Sequence, residues 1–397
     1  MTKLSALACS LFLLMPACGT RGDSVERTQE NGIEVVQNHR LPYRLKGTPV
    51  SVRLDEELAI DTERADLAKL EVEDIWGFDV NSQGEIFIFQ PPMSAGKFIS
   101  KFDERGGFVT SFAPKGQGPG EIQWPIFHKI LSVDGIPILD MTSRKLVVFD
   151  KNGSVLRETA LPLEIKGSSM LLELPNKNYL YRKVEVDPSQ QYPSLNLSYS
   201  LISPELKEIR ELDQVQIPHP FSAPKIRFPL PMTAWAVAGR HIFVGSSEKG
   251  YEIRVYDWDG NFVRKIRKEF AAVPFPESKK LAVLWALESP QLSPLKNRLV
   301  FPDPSPPFQH LFCDDEGRLY VMTYETGEKP GEYLFDIFNP DGVFIARMSC
   351  AAHLSADLFA PGSPSDSWIA ARNGRLYAIQ EKPSGFKKLV VYRMLWQ

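Results

Sequence analysis

Residues 255–263 read Val-Tyr-Asp-Trp-Asp-Gly-Asn-Phe-Val, and the same frame recurs as KFDERGGFV from Lys101, VFDKNGSVL from Val148 and IFNPDGVFI from Ile337. Each copy sets an aromatic, then Asp or Asn, then two mostly polar residues, then Gly between two apolar stretches. That is how a tight turn joining two strands looks in sequence, and its recurrence makes the chain a repeat array. Asp103, Asp150 and Asp257 look like metal ligands when taken singly. Their repetition beside Gly106, Gly153, Gly260 and the equivalent Gly342 assigns them instead to turns, where the side-chain oxygen bonds to backbone N–H groups.

A second repeat precedes each of these hairpins: FDVNSQGEIFIF from Phe78, AVAGRHIFVG from Ala236, FCDDEGRLYVM from Phe312 and AARNGRLYAI from Ala370. A turn ending in Gly followed by alternating large apolar residues supplies strands one and two of a four-strand unit, and the Asp-x-x-Gly hairpin supplies strands three and four. Weaker copies at 127–140 and 170–182 bring the count to six, with third-strand markers at Phe102, Phe149, Ile202, Tyr256, Phe338 and in 388–392. The expected fold is all-β, a six-bladed β-propeller over 45–397. The last unit ends at the C terminus without a fourth strand. The alternating segment 49–60 stands before the first blade and is placed to fill that edge, closing the ring through an N-terminal strand. One interval is long: 274–307 holds a short helical insertion, with Ser278 as cap and Leu281, Leu284 and Trp285 as the face docked on the propeller.

Composition agrees with many short strands. The 397 residues include 32 prolines and 26 glycines, are 43% hydrophobic and carry a net charge of -3, which gives no bias toward nucleic acid. Residues 1–18 differ from the rest: Lys3 precedes an apolar run over 4–15 too short to span a bilayer, and Pro16, Ala17 and Cys18 follow. The ending Leu14-Met15-Pro16-Ala17-Cys18 resembles the bacterial lipobox, in which the cysteine is lipidated and becomes the new N terminus. With Gly19 after it, that resemblance implies a lipid anchor at Cys18 and sorting to the outer membrane, facing the periplasm or the cell surface. Residues 19–44 are polar and read as a flexible tether. Cys313 and Cys350 fall on the innermost and outermost strands of one blade, three spacings of about 4.8 Å apart, so no disulfide is expected. The basic run Arg264, Lys265, Arg267 and Lys268 reads as a solvated outer edge protected by charge, and Trp76, Trp235 and Trp368 as packing between blades.

The segment Gly116-Gln117-Gly118-Pro119-Gly120-Glu121, directly after the first blade, resembles the six-bladed β-propeller lipoproteins of bacteria, relatives of NHL-repeat propellers. The resemblance runs from about residue 49 to the C terminus and implies a fold and an envelope location. It lends no catalytic residues. The residues themselves read as a tight inter-blade crossing, with glycines that permit positive φ and Pro119 stiffening it. A phosphate loop would need a following Lys-Ser/Thr and a helix.

Counting back seven residues from the turn glycines Gly135 and Gly317 reaches His128 and His310, in a register that holds Gly77, Met170, Met232 and Ser367 in other blades. Both imidazoles would then face the central channel. Propellers related to NHL repeats include an amidating lyase that holds zinc with channel histidines, so the resemblance makes a divalent metal such as Zn, or Ca with the carboxylates Asp74 and Asp79, the alternative to an absence of cofactor. No Gly-x-Ser-x-Gly or His-Glu-x-x-His occurs. The leading expectation is a non-enzymatic, monomeric, lipid-anchored propeller that binds a protein, peptide or glycan. The alternative is a metal-dependent lyase or hydrolase using His128 and His310.

Overall fold

A side-chain oxygen folded back on its own turn sets the geometry of blades one to five. Asp150 accepts the N–H groups of Asn152 and Ser154, both at 2.8 Å, and Asp257 accepts those of Asp259 and Asn261 at 3.0 and 2.8 Å. Asp103 and Asn339 do the same for the turns of the first and fifth units. Asn81 and Asp314 repeat the device between first and second strands. The glycine that follows sits at positive φ, +91° at Gly153 and +83° at Gly260, where an L side chain is strained. At Gly153 the neighbouring blade adds a second reason, since a Cβ there would lie 2.5 Å from Cβ of Phe112.

The computed structural model describes residues 25–44, 48–127, 135–161, 170–189, 191–205, 207–219, 222–288, 290, 292–351 and 368–397. It shows six groups of consecutive antiparallel strands, at 77–112, 125–160, 170–218, 233–268, 310–351 and 369–396, which are the blades of a six-bladed β-propeller. The markers Phe102, Phe149, Ile202, Tyr256 and Phe338 all lie on third strands. Apolar side chains fill the spaces between adjacent blades. One such layer joins Ile86, Ile88 and Phe102 of blade one to Tyr377, Ile379 and Leu389 of blade six.

The ring closes as the alternation predicts. Strand Ser51–Asp61 runs antiparallel to Lys387–Trp396, with register partners from Asp61–Lys388 to Val52–Trp396, and becomes the fourth strand of blade six. Its first residues also pair in parallel with Arg347 and Met348, so blades five and six form one continuous eight-stranded sheet.

Two expectations are overturned together. Part of the segment read as a flexible tether forms a hairpin, Glu26–Glu30 and Ile33–Asn38, turned at Asn31 and Gly32 with φ of +51° and +78°. The second strand lies parallel to Phe262–Lys268, so the basic strand read as an exposed edge is covered. Its cations are neutralised from the hairpin: Glu30 bonds to Lys265 and Arg267, Glu34 approaches Arg264 at 3.4 Å, and Val35 and Val36 are buried. Hydrogen bonds from Arg267 and Lys265 hold the Glu30 carboxyl down to about 2. Polar composition hid this hairpin, although Asn-Gly followed by Ile-Glu-Val-Val carried the signal.

The insertion contains helix Glu277–Ala286 and a 3-10 turn at Ser293–Arg298. Its N-cap position is Pro276 rather than Ser278, with no side-chain cap bond. Its docked side is also not the expected one. Val283 and Leu287 are buried with Phe275 and Leu295 against blades three and four, whereas Leu281 and Trp285 face solvent, Trp285 being 73% exposed. Both stripes are apolar at helical spacing, so periodicity could not choose between them. Trp368 is buried and Trp235 partly so, but Trp76 is exposed.

Candidate functional site

Strand register determines what faces the channel. His310 opens the innermost strand of blade five as Gly77 opens that of blade one and Met170 that of blade three, and Met232 directly precedes that of blade four. His310 is buried, with its ring 6.2 Å from Phe312, which in turn stacks on Tyr320 at 4.7 Å. His128 and Ser367 lie outside the described residues. Asp74 bonds to Lys387 Nζ at 3.0 Å and to the Ile75 N–H at 2.8 Å, an ion pair between blades one and six. Asp79 is buried on its strand and accepts the Val80 N–H at 2.8 Å. Among the described residues no group of three His, Cys, Asp or Glu side chains is placed to hold a metal ion.

The glycine-rich crossing is filled by the protein's own acids. Glu121 accepts the Gly118 N–H at 2.8 Å, and Glu158 accepts the Gly120 N–H at 2.7 Å. Lys145 bonds both to Glu158 and to the Gly118 carbonyl. A Cβ on Gly116 would fall 2.0 Å from the Glu121 carboxylate. Behind the loop, fully buried Asp140 accepts backbone N–H groups from Gln123, Trp124, Thr142 and Ser143. A phosphate in this loop would have to displace two carboxylates.

Sequence reading missed a buried ionic network between blades four and five. Asp336 receives the Tyr251 hydroxyl at 2.7 Å and Arg347 Nε at 2.7 Å, and lies 3.2 Å from Lys268 Nζ. Arg347 also forks onto Glu325, at 2.7 and 3.0 Å. Burial lowers the Lys268 ammonium and raises the Tyr251 phenol. Burial also opposes ionisation of Glu325, but the Arg347 bonds prevail and keep its carboxyl below the ordinary range. A cavity of about 380 Å³ adjoins the network, with Arg40, Leu41 and Phe270 at its wall. Isolated single letters on four different strands gave no pattern by which to find these groups.

Lys279, on the insertion helix, bonds to Gln309 Oε1 at 2.5 Å and points over the rings of Tyr324 and Tyr333, 5.2 and 5.6 Å from their centroids. Burial pushes its ammonium down to about 8. Cys350 is buried and its thiol is raised to about 12 by burial, which leaves it unreactive; both it and Cys313 are free thiols.

Exposed aromatic side chains, with Met93, lie at one end of the blades. Trp76, Met93, Trp124, Tyr192, Trp285 and Phe386 are all exposed. All lie either between second and third strands or in connections between blades. Antiparallel order puts those connections at the same end of every blade.

The fold is thus that of a propeller whose identifiable features are a packed channel strand, inter-blade ion pairs and an aromatic face. Residues 78–212, spanning blades one to three, match the model of a family described as a 6-bladed beta-propeller. The chain resembles a presumed exported protein from Bacteroides fragilis NCTC 9343 at 13% identity, covering 91% of this chain and 99% of that one with a TM-score of 0.51. A member of the DUF4221 family from Bacteroides vulgatus ATCC 8482 aligns at 11% identity over 88% of this chain and 99% of its own, with a TM-score of 0.46. No curated protein matches the sequence.

Proposed function

We propose that this chain is an exported propeller, anchored by lipid at Cys18, that acts as a binding or scaffold protein in the cell envelope and presents its aromatic face to a protein, peptide or glycan. The observation that carries the reading is the collection of exposed Trp76, Met93, Trp124, Tyr192, Trp285 and Phe386 at one end of the blades. Large aromatic side chains left in water on a single face are the residues that dominate binding energy once covered. The ionisable groups inside the ring support a structural role, since Asp140, Asp213 and Asp336 are each saturated by backbone or cationic partners. Export is supported by the apolar run over 4–15, by the lipobox-like Cys18, and by the Bacteroides fragilis neighbour being itself a presumed exported protein.

The reading is tested by photo-crosslinking in living cells from positions 124 and 285, compared with position 209 at the opposite end of the blades. Defined adducts from 124 and 285 that disappear on Trp76→Ala/Phe386→Ala, with the fold intact by circular dichroism, support it. Adducts equally abundant from 209, or unchanged in the double variant, overturn it.

A further inference from the structure

The N-terminal hairpin changes the length of any link to Cys18. The first described residue is Val25, and six residues separate it from Cys18. Seven Cα steps of at most about 3.5 Å confine a lipid on Cys18 to roughly 25 Å from Val25. A propeller on a link this short does not roam. One part of its rim stays at the bilayer.

Val25 lines a cavity of about 580 Å³ together with His39, Arg40, Leu41 and Tyr43, so segment 39–44 stands where the chain leaves toward Cys18. Leu41 is 77% exposed, and Arg40 and Arg44 are exposed on either side of it. Acids are near: Glu26 and Glu269 line the same cavity, and Glu269 lies 3.4 Å from His39. The neighbouring cations Lys268 and Arg347 are neutralised by Asp336 and Glu325. Arg40, at the wall of that second cavity, is exposed and lies close enough to Glu325 to favour its charge, without a contact ion pair among the described residues.

We infer that segment 39–44 is a membrane-contact element: Leu41 and Tyr43 enter the interfacial layer beside the Cys18 lipid, and Arg40 and Arg44 meet phospholipid phosphates. An exposed leucine between two arginines beside an acylated terminus supplies the second, reversible signal that a lipid anchor uses to hold a fixed orientation. The inference rests on the lipid anchor proposed above and specifies which rim it holds to the bilayer.

The test uses the mature chain with a hexahistidine tag in place of residues 1–18. Tethering it to vesicles of phosphatidylethanolamine and phosphatidylglycerol through a nickel-chelating lipid makes the result independent of lipidation. An environment-sensitive fluorophore is placed by Leu41→Cys and, as comparison, by Leu156→Cys on the outer strand of blade two, with labelling of the unmodified chain as the blank. Expected is a blue shift and quenching by brominated lipid at 41 but not at 156, lost on Arg40→Glu/Arg44→Glu. A label at 41 as water-exposed as that at 156 overturns the inference, as does a shift at 41 that also needs an added envelope extract, which would make the occupant a protein. Mass spectrometry of the mature N terminus tests lipidation separately.

Discussion

The side-chain amide of Asn38 substitutes for a strand between two blades: its oxygen accepts the Phe344 N–H at 2.7 Å while its nitrogen donates to the Gly342 carbonyl at 3.0 Å. The same nitrogen reaches the Arg267 carbonyl at 3.1 Å, so one buried residue of the N-terminal hairpin ties blade four to the turn of blade five. Replacing Asn38 by Ala strands a buried N–H and two carbonyls. The expected loss is about 2–4 kcal/mol by urea denaturation, with early proteolysis confined to the segment before residue 49. Unchanged stability would mean that the hairpin is decorative.

Ring closure predicts a sharp difference between two truncations. A chain beginning at residue 49 keeps strand Ser51–Asp61 and is expected to melt cooperatively, at a lower temperature than the full protein because the hairpin is gone. A chain beginning at residue 62 leaves Lys387–Trp396 as an open apolar edge, with Leu389, Val390 and Val391 fully buried in the intact ring, and should show no cooperative transition by near-ultraviolet circular dichroism. Two similar melts would show that the blades stand independently.

Lys279 predicts a pH dependence with a definite sign. Its ammonium titrates near 8 in the folded protein against an ordinary value of 10.5. Between those values the unfolded chain binds more protons, so stability rises with pH across the window and is lowest below 8, where the folded state holds the enclosed charge. The faces of Tyr324 and Tyr333 return part of that cost. Lys279→Met is expected to raise the melting temperature at pH 7 and to flatten the rise between pH 8 and 10. A fall at pH 7 would show that the cation–π contacts outweigh desolvation.

The metal alternative has a direct measurement. Elemental analysis of the mature domain is expected to find no stoichiometric metal, in the parent and in the His128→Ala/His310→Ala variant alike. Metal near one per chain that disappears in the variant would move the protein to the lyase or hydrolase reading.

Much of the fold was legible because the repeat carries its own mechanism. Asp257 and Gly260 can be read as a turn without knowing any neighbour, since the bonds involved span four residues or fewer. The closing strand was legible for a different reason: a missing fourth strand in blade six demanded one, and 49–60 had the period. The hairpin Glu26–Asn38 was not, because its polar residues make sense only against Lys265 and Arg267 some 230 positions away. Nor was the helix orientation, where Leu281 and Val283 are equally apolar and only the surface beneath distinguishes them. The network around Asp336 is invisible for the same reason. Counting back from Gly317 also reached the residue that opens the innermost strand of blade five, His310.

Because strand Ser51–Asp61 finds its full partner only in Lys387–Trp396, the ring carries its own check that its sixth blade is present. A nascent protein interrupted before its sixth blade holds an early strand left with only the short parallel pairing to Arg347 and Met348, or with none if blade five is also missing. Such a fragment cannot rest in a native-like state and is open to proteolysis. Residues 387–396 thus decide whether 51–61 become structure, and copies that lack them are not expected to persist.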